Sequence, residues 1–191
     1  MPPLAPTPPP LLVRCLSRLQ WPLFSFARGI IGDEERARDL VQDVFVNAWR
    51  LAQRGAPPFT PGAEADEQGL RRWLFHDAYW RAVSVVRRDR RIVWESLEGD
   101  EAPQVEYADD AGPFEDRVVE AEALRAALAE LAPQDAACVL LSVVEGLSAA
   151  EVAQVTGIAT EAAKKRISRA KLRLRAVYFA QNPPSQECKR P

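Results

Sequence analysis

This chain has little of what proteins use to build reactive sites. Among 191 residues there are three cysteines, one histidine and one methionine. Cys15, Cys138 and Cys188 are odd in number and far apart, with no CxxC pair. That spacing excludes a disulfide framework. With His76 as the single imidazole it also excludes a zinc site, and it suits a reducing cytoplasm. Cys138 stands among Ala137, Val139 and Leu140, where a small buried hydrophobe is expected. Cys188 is followed by Lys189-Arg190-Pro191, which is not an aliphatic prenylation signal. No apolar run approaches membrane-spanning length. The N-terminus carries prolines where a signal peptide needs positive charge, and Arg14 interrupts the apolar run that follows. A phosphate-binding glycine loop, an HExxH pair and a nucleophile elbow are all missing. The expectation is therefore no catalytic residue, no metal, no cofactor and no enzyme.

What the chain does have is segregated charge. Hydrophobic residues make up 47% and charged residues 27%, as in a soluble globular protein, and the net charge is only −2. Yet Arg71 to Arg91 is net +5, Ile92 to Glu122 is −10, and Glu161 to Ala176 is +6. Two basic segments flank an acidic one, which argues against a uniform nucleic-acid coat and for two separate cationic faces.

Met1 to Pro10 holds six prolines and predicts a disordered arm. Leu11 to Ile31 is dense in apolar residues, and Pro22 is expected to split it, with a helix starting near Trp21. Gly32-Asp33 ends that helix and caps a second, which runs to about Arg54 with Ala37, Leu40, Val41, Val44, Phe45 and Ala48 inward. Gly55 to Gly69 reads as a loop. A third helix, Leu70 to about Arg88, places Leu70, Trp73, Leu74, Ala78 and Val85 inward. Trp80, Arg81, Ser84, Arg87 and Arg88 fall on its other faces. Aromatics among arginines suit single-stranded nucleic acid, since a base stacks on a ring while arginine neutralises phosphate. For Trp80, core and exposed site are equally open. Ile92 to Pro113 is an acidic linker. Glu115 to Leu131 is an amphipathic helix, and Pro133 opens another that Gly146 ends. Nothing reads as a strand, so the fold class is all-α.

The most informative stretch is Ser148 to Arg175. Ser148 and Glu151 form a capping box at a helix start. A short helix follows to about Val155, and Thr156-Gly157 turns the chain. Thr160 can cap a longer helix whose Ala163, Ile167, Ala170, Leu174 and Val177 make a buried stripe. Lys164, Lys165, Arg166, Ser168, Arg169 and Lys171 lie mostly off it. This is a helix-turn-helix with a basic second helix, the part that enters the DNA major groove. The plainer alternative is a solvated basic face on a bundle helix.

Together these residues resemble a bacterial RNA polymerase sigma factor of the extracytoplasmic-function (ECF) type within the sigma-70 family, which keeps only regions 2 and 4. GDEERARDLVQDVFVNAW is similar to the region 2 helices that dock on the polymerase clamp. RRWLFHDAYWRAVSVVRRDRR is similar to the part that melts and reads the −10 element. LAPQDAACVLLSVVEGLSAAEVAQVTGIATEAAKKRISRAKLRLR is similar to region 4, which reads the −35 element. The resemblance implies two small helical domains, 11–91 and 115–180, joined by an acidic linker at 92–114, with an arm at 1–10 and a tail at 181–191. It implies a cytoplasmic promoter-recognition subunit whose partners are core RNA polymerase and promoter DNA, with an anti-sigma factor as a further candidate and no membrane contact. Asp39, Gln42, Asp43 and Asn47 would face the clamp. Trp80, Ser84, Arg87, Arg88, Arg90 and Arg91 would meet the opened −10 strand. Lys164, Lys165, Arg166, Ser168, Arg169 and Lys171 would lie at the −35 groove, with Arg166 and Arg169, three apart on one helix face, as candidate base readers and Lys164 and Lys165 as candidate phosphate contacts.

The chain departs from its relatives at three positions of the third helix. They commonly carry asparagine at the place of Trp80, aspartate at that of Ser84, and an apolar residue where Asp77 stands. Two rivals from other classes remain. A conventional repressor or activator would bind DNA tightly without polymerase. A sigma mimic would titrate an anti-sigma factor and would not need a basic recognition helix.

Overall fold

A computed structural model describes residues 10–56, 58, 67–96 and 115–182, with side chains for 11–56, 58, 67–91 and 120–182. Of the expected arm at 1–10, loop at 55–69, linker at 92–114 and tail at 181–191, residues 1–9, 57, 59–66, 97–114 and 183–191 lie outside the described residues, while Pro10 begins the first helix and Gln181 ends the last. Within them the chain is helical and no strand occurs.

Helix α1 spans Pro10–Ile31 in one piece and carries Pro22 inside it. The expected break at Pro22 is therefore corrected. An internal proline costs about 3 kcal/mol and one backbone bond. Here Leu12, Cys15, Leu23, Phe26, Ala27 and Ile30, all buried, recur on one face on both sides of it. That continuous packing holds the helix through the proline. Helix α2, Glu34–Gln53, follows the expected cap: the Asp33 side chain accepts from the Arg36 backbone N–H, and the six expected core residues are buried. Helix α3, Glu67–Ser96, runs longer than expected and enters the first five residues of the linker.

In the second half, α4 is Glu115–Ala129 and α5 is Pro133–Val139. Five residues in π geometry, Leu140–Val144, continue α5. Gly146, at φ 67°, then turns the chain. Helix α6, Ala149–Thr156, begins with the Ser148–Glu151 capping box and ends at Gly157 in the left-handed conformation. Helix α7 is Thr160–Gln181. Its N-cap is Ala159 without a side-chain bond, so Thr160 is the first helical residue and not the expected cap.

The two halves pack on each other. Helices α1, α2 and α3 form a bundle in which Phe26 and Phe75 meet edge-on at 5.5 Å. Helix α3 also packs on α5 and α6, and α1 packs on α4 and α5. A Cβ at Gly29 would sit 2.8 Å from Leu140 Cδ1, so glycine is what allows the π segment to approach α1. Buried apolar residues form one cluster through both halves.

Candidate nucleic-acid and polymerase interface

Helix α3 carries the residues expected at the −10 strand and packs on both α2 and α6. Leu74, Ala78 and Ala82 are buried along one line, and Phe75, Tyr79 and Val83 along the next. Adjacent positions on a helix are about 100° apart. Burial of both lines therefore means that α3 is covered from two sides, by the bundle and by the second half. The sequence reading had only one inward stripe and missed Tyr79 and Val83. Burial raises the Tyr79 phenol, whose oxygen also feels Cys138, Arg166 and Asp135 of the second half.

Four contacts join the exposed rim of α3 to the helix-turn-helix half. Arg71 donates to the Glu145 carbonyl at 2.8 Å and pairs with its carboxylate at 3.1 Å. Arg72 lies 3.7 Å from Glu151. His76 Nδ1 is 2.8 Å from the Val155 carbonyl oxygen; the carbonyl can only accept, so that ring nitrogen carries a proton. The Trp80 ring stands beside the turn, 3.6 Å from where a Cβ on Gly157 would be. Trp80 itself is 43% exposed and meets Tyr79 edge-on at 5.3 Å. Of the two open readings for Trp80, core is thereby set aside.

The other residues expected at the −10 strand continue along α3. Ser84 is exposed, and its hydroxyl donates to the Trp80 carbonyl at 2.6 Å. Arg87, Arg88, Arg90 and Arg91 are exposed. Asp89 between them is taken by a two-bonded pair with Arg36 of α2, at 2.8 and 3.0 Å. This bond raises the Arg36 pKa and anchors the start of α2 to α3.

On α2, Asp39, Gln42 and Asp43 are exposed on the outer surface. Asn47 is half-buried and donates to Asp77 of α3 at 3.2 Å, so its amide is engaged within the bundle. Gln42 borders an open apolar groove of about 900 Å³ between α1 and α2, lined also by Leu12, Trp21, Phe24, Phe45 and Trp49.

On α7 the stripe Ala163, Ile167 and Ala170 is buried, and Leu174 and Val177 are half-buried. Lys164, Lys165, Ser168, Arg169 and Lys171 are exposed. Lys164 pairs with Glu161 at 2.7 Å, and Arg169 Nε donates to the Lys165 carbonyl at 3.3 Å. Arg166 differs from the rest: it is half-buried and lies 3.5 Å from Asp135 of α5. Upstream, hydrogen bonds from Ser148 hold the Glu151 carboxyl below its usual range, and Arg72 adds to this. Burial pushes the Cys138 thiol up to about 11. Among the described residues no cluster of His, Cys, Asp or Glu could hold a metal, and no helix is long and apolar enough to cross a membrane.

Residues 121–174 match the family described as Sigma-70, region 4. The chain is 31% identical over 157 residues to the ECF RNA polymerase sigma factor EcfG of Rhodopseudomonas palustris, covering 82% of this chain and 79% of that one. It is 30% identical over 158 residues to the ECF RNA polymerase sigma factor SigE of Mycolicibacterium smegmatis, covering 80% of this chain but 56% of the relative's length. Among solved structures, the sigma factor RpoE of Bartonella quintana, crystallised with the anti-sigma factor NepR, superposes with a TM-score of 0.62. That match has 24% identity and covers 86% of this chain and 94% of the other.

Proposed function

Because the chain belongs to the ECF sigma factors of bacterial RNA polymerase, we propose that it binds the core enzyme and directs it to promoters. In this role α2 presents Asp39, Gln42 and Asp43 to the clamp, and α3 presents Trp80, Ser84, Arg87, Arg88, Arg90 and Arg91 to the opened −10 strand. Helix α7 enters the −35 major groove. The domain division 11–91 and 115–180 then corresponds to regions 2 and 4. The protein works in the cytoplasm, where its substrate complex is, and performs no covalent chemistry. An anti-sigma factor is a natural further partner, as it is for the structural relative.

The observation that carries this function is the pairing of two cationic faces on separate elements of one chain. Arginines line α3, and Lys164, Lys165, Arg169 and Lys171 line the exposed side of a helix-turn-helix second helix. Phosphate attraction supplies the affinity, and a few groups at base edges supply the choice of sequence. A repressor would not need the α3 face, and a sigma mimic would need neither. The test is reconstitution with core polymerase on promoter DNA. Co-elution with core and permanganate-reactive opening of the −10 region are expected. Tight, specific DNA binding by the free chain with no polymerase association would favour the repressor instead.

A further inference from the structure

Arg81 is not among the residues assigned above, yet it stands where the clamp face and the strand face meet. Its Nε lies 2.9 Å from Asp77 Oδ2, one turn back on α3, and its Nη1 lies 3.7 Å from Asp43 Oδ2 on α2. Asn47 donates to the same Asp77 oxygen. Asp77 is only 19% exposed, whereas Asp43 is 71% exposed. One guanidinium is thus held between a shielded carboxylate and a carboxylate open to any basic partner. Asp77, Arg81, Ser84 and Arg88 follow each other at steps of four, three and four, on one stripe of α3. Arg81 and Arg88 are about 10 Å apart along the axis, close to three nucleotide steps of about 3.4 Å. Arg81 therefore extends the strand-facing stripe by one turn toward α2.

We propose that Arg81 is a promoter-strand contact held in reserve by Asp77 and Asp43, and that binding of the clamp to Asp43 releases it. This rests on the sigma-factor function proposed above. Asp77 is the positioning residue: it keeps Nε fixed, so that the two Nη groups point outward once Asp43 is taken. Before that, the two carboxylates cancel the charge of Arg81 toward phosphate. After it, a guanidinium offers five N–H donors of which Asp77 uses one. In this way occupation of the clamp face and affinity for the strand become one coupled equilibrium, and coupling of this kind is reciprocal.

The deciding experiment compares Arg81→Ala, Arg81→Lys, Asp77→Asn and Asp43→Asn in the full chain, free and as holoenzyme at saturating core. In the free chain, Asp77→Asn and Asp43→Asn should each steepen the salt dependence of binding to a single-stranded −10 oligonucleotide by up to about 0.7. That equals a roughly threefold larger loss between 50 and 200 mM salt. In the holoenzyme, Arg81→Ala should flatten the salt dependence of promoter opening by about 0.7, and Arg81→Lys should restore it. If Arg81→Ala does not fold, the two aspartate variants in the free chain decide alone. Unchanged salt slopes in a wild-type system that does open the promoter would reduce the cluster to a tie between α2 and α3. Failure of the wild type to open any promoter would instead remove the sigma-factor function itself.

Discussion

Trp80 keeps 43% of its surface exposed, with its ring against the turn at Gly157, so removing it opens no core cavity. Trp80→Ala should therefore lower promoter opening by about 1–3 kcal/mol through lost base stacking. The fall in thermal stability should be far below the roughly 3–5 kcal/mol of a buried tryptophan. Unfolding curves beside permanganate footprints check this. Arg166 and Arg169 share a helix face but not a neighbourhood. Arg166 is paired with Asp135 and half-buried, whereas Arg169 is exposed. Hence Arg169→Ala should cost about 1–3 kcal/mol on the matched −35 sequence and much less on a scrambled one. Arg166→Ala should act about equally on both, with a stability loss of up to roughly 1 kcal/mol. Holoenzyme binding to the two sequences separates these roles. The Cys138 thiol, buried and raised to about 11, should resist alkylation at pH 8 until the chain unfolds.

At the scale of the element, α6 depends on its two ends. Ser148 accepts from the Glu151 backbone N–H, and the Glu151 carboxylate accepts from Ser148 in return. Ser148→Ala should destabilise the chain by about 1 kcal/mol, read as a shift in the unfolding midpoint. The depressed Glu151 pKa gives the sign of the pH effect. Its contribution is complete above the ordinary carboxylate pKa of about 4.3 and is lost as pH falls through the lower folded value. Glu151→Gln should therefore reduce stability at neutral pH and lose less than the wild type on acidification below about pH 4. At the other end Gly157 holds φ 71° against the Trp80 ring. Gly157→Ala would place a Cβ in that conformation, costing about 1–2 kcal/mol.

At the scale of the whole molecule, the α3 rim and the helix-turn-helix are too close for the function proposed for them. The Trp80 ring stands beside the turn that leads into α7. On a promoter the −10 and −35 elements are about 25 base pairs apart, roughly 85 Å at 3.4 Å per pair. Both faces cannot engage DNA while α3 and α6 remain in contact. Spin labels placed on α3 and α7 should therefore lie close in the free chain and move apart by tens of ångströms in holoenzyme on promoter DNA. The polar contacts that part are Arg71 with Glu145, Arg72 with Glu151, and His76 with Val155. Water can satisfy these polar groups once they part, while the apolar surface shared by the two halves, which separation also exposes, is the part of the cost that polymerase and DNA contacts must offset.

The sequence by itself determined the helical class, the boundaries of α2, the capping box at Ser148, the turn at Gly157 and the basic face of α7. These are local matters: a cap, a glycine or a 3.6-residue stripe needs only its neighbours along the chain. Tertiary structure decided the rest. Pro22 stays inside α1 because packing on both sides of it outweighs one lost bond, which no local rule reveals. Tyr79 and Val83 are buried because α5 and α6 cover a second side of α3, a contact between elements far apart along the chain. Arg166 is drawn to Asp135, and Arg81 is held between Asp77 and Asp43, by partners on other helices as well as their own. Basic residues can be counted along a sequence, but which of them remain available to DNA depends on the carboxylates that folding brings beside them.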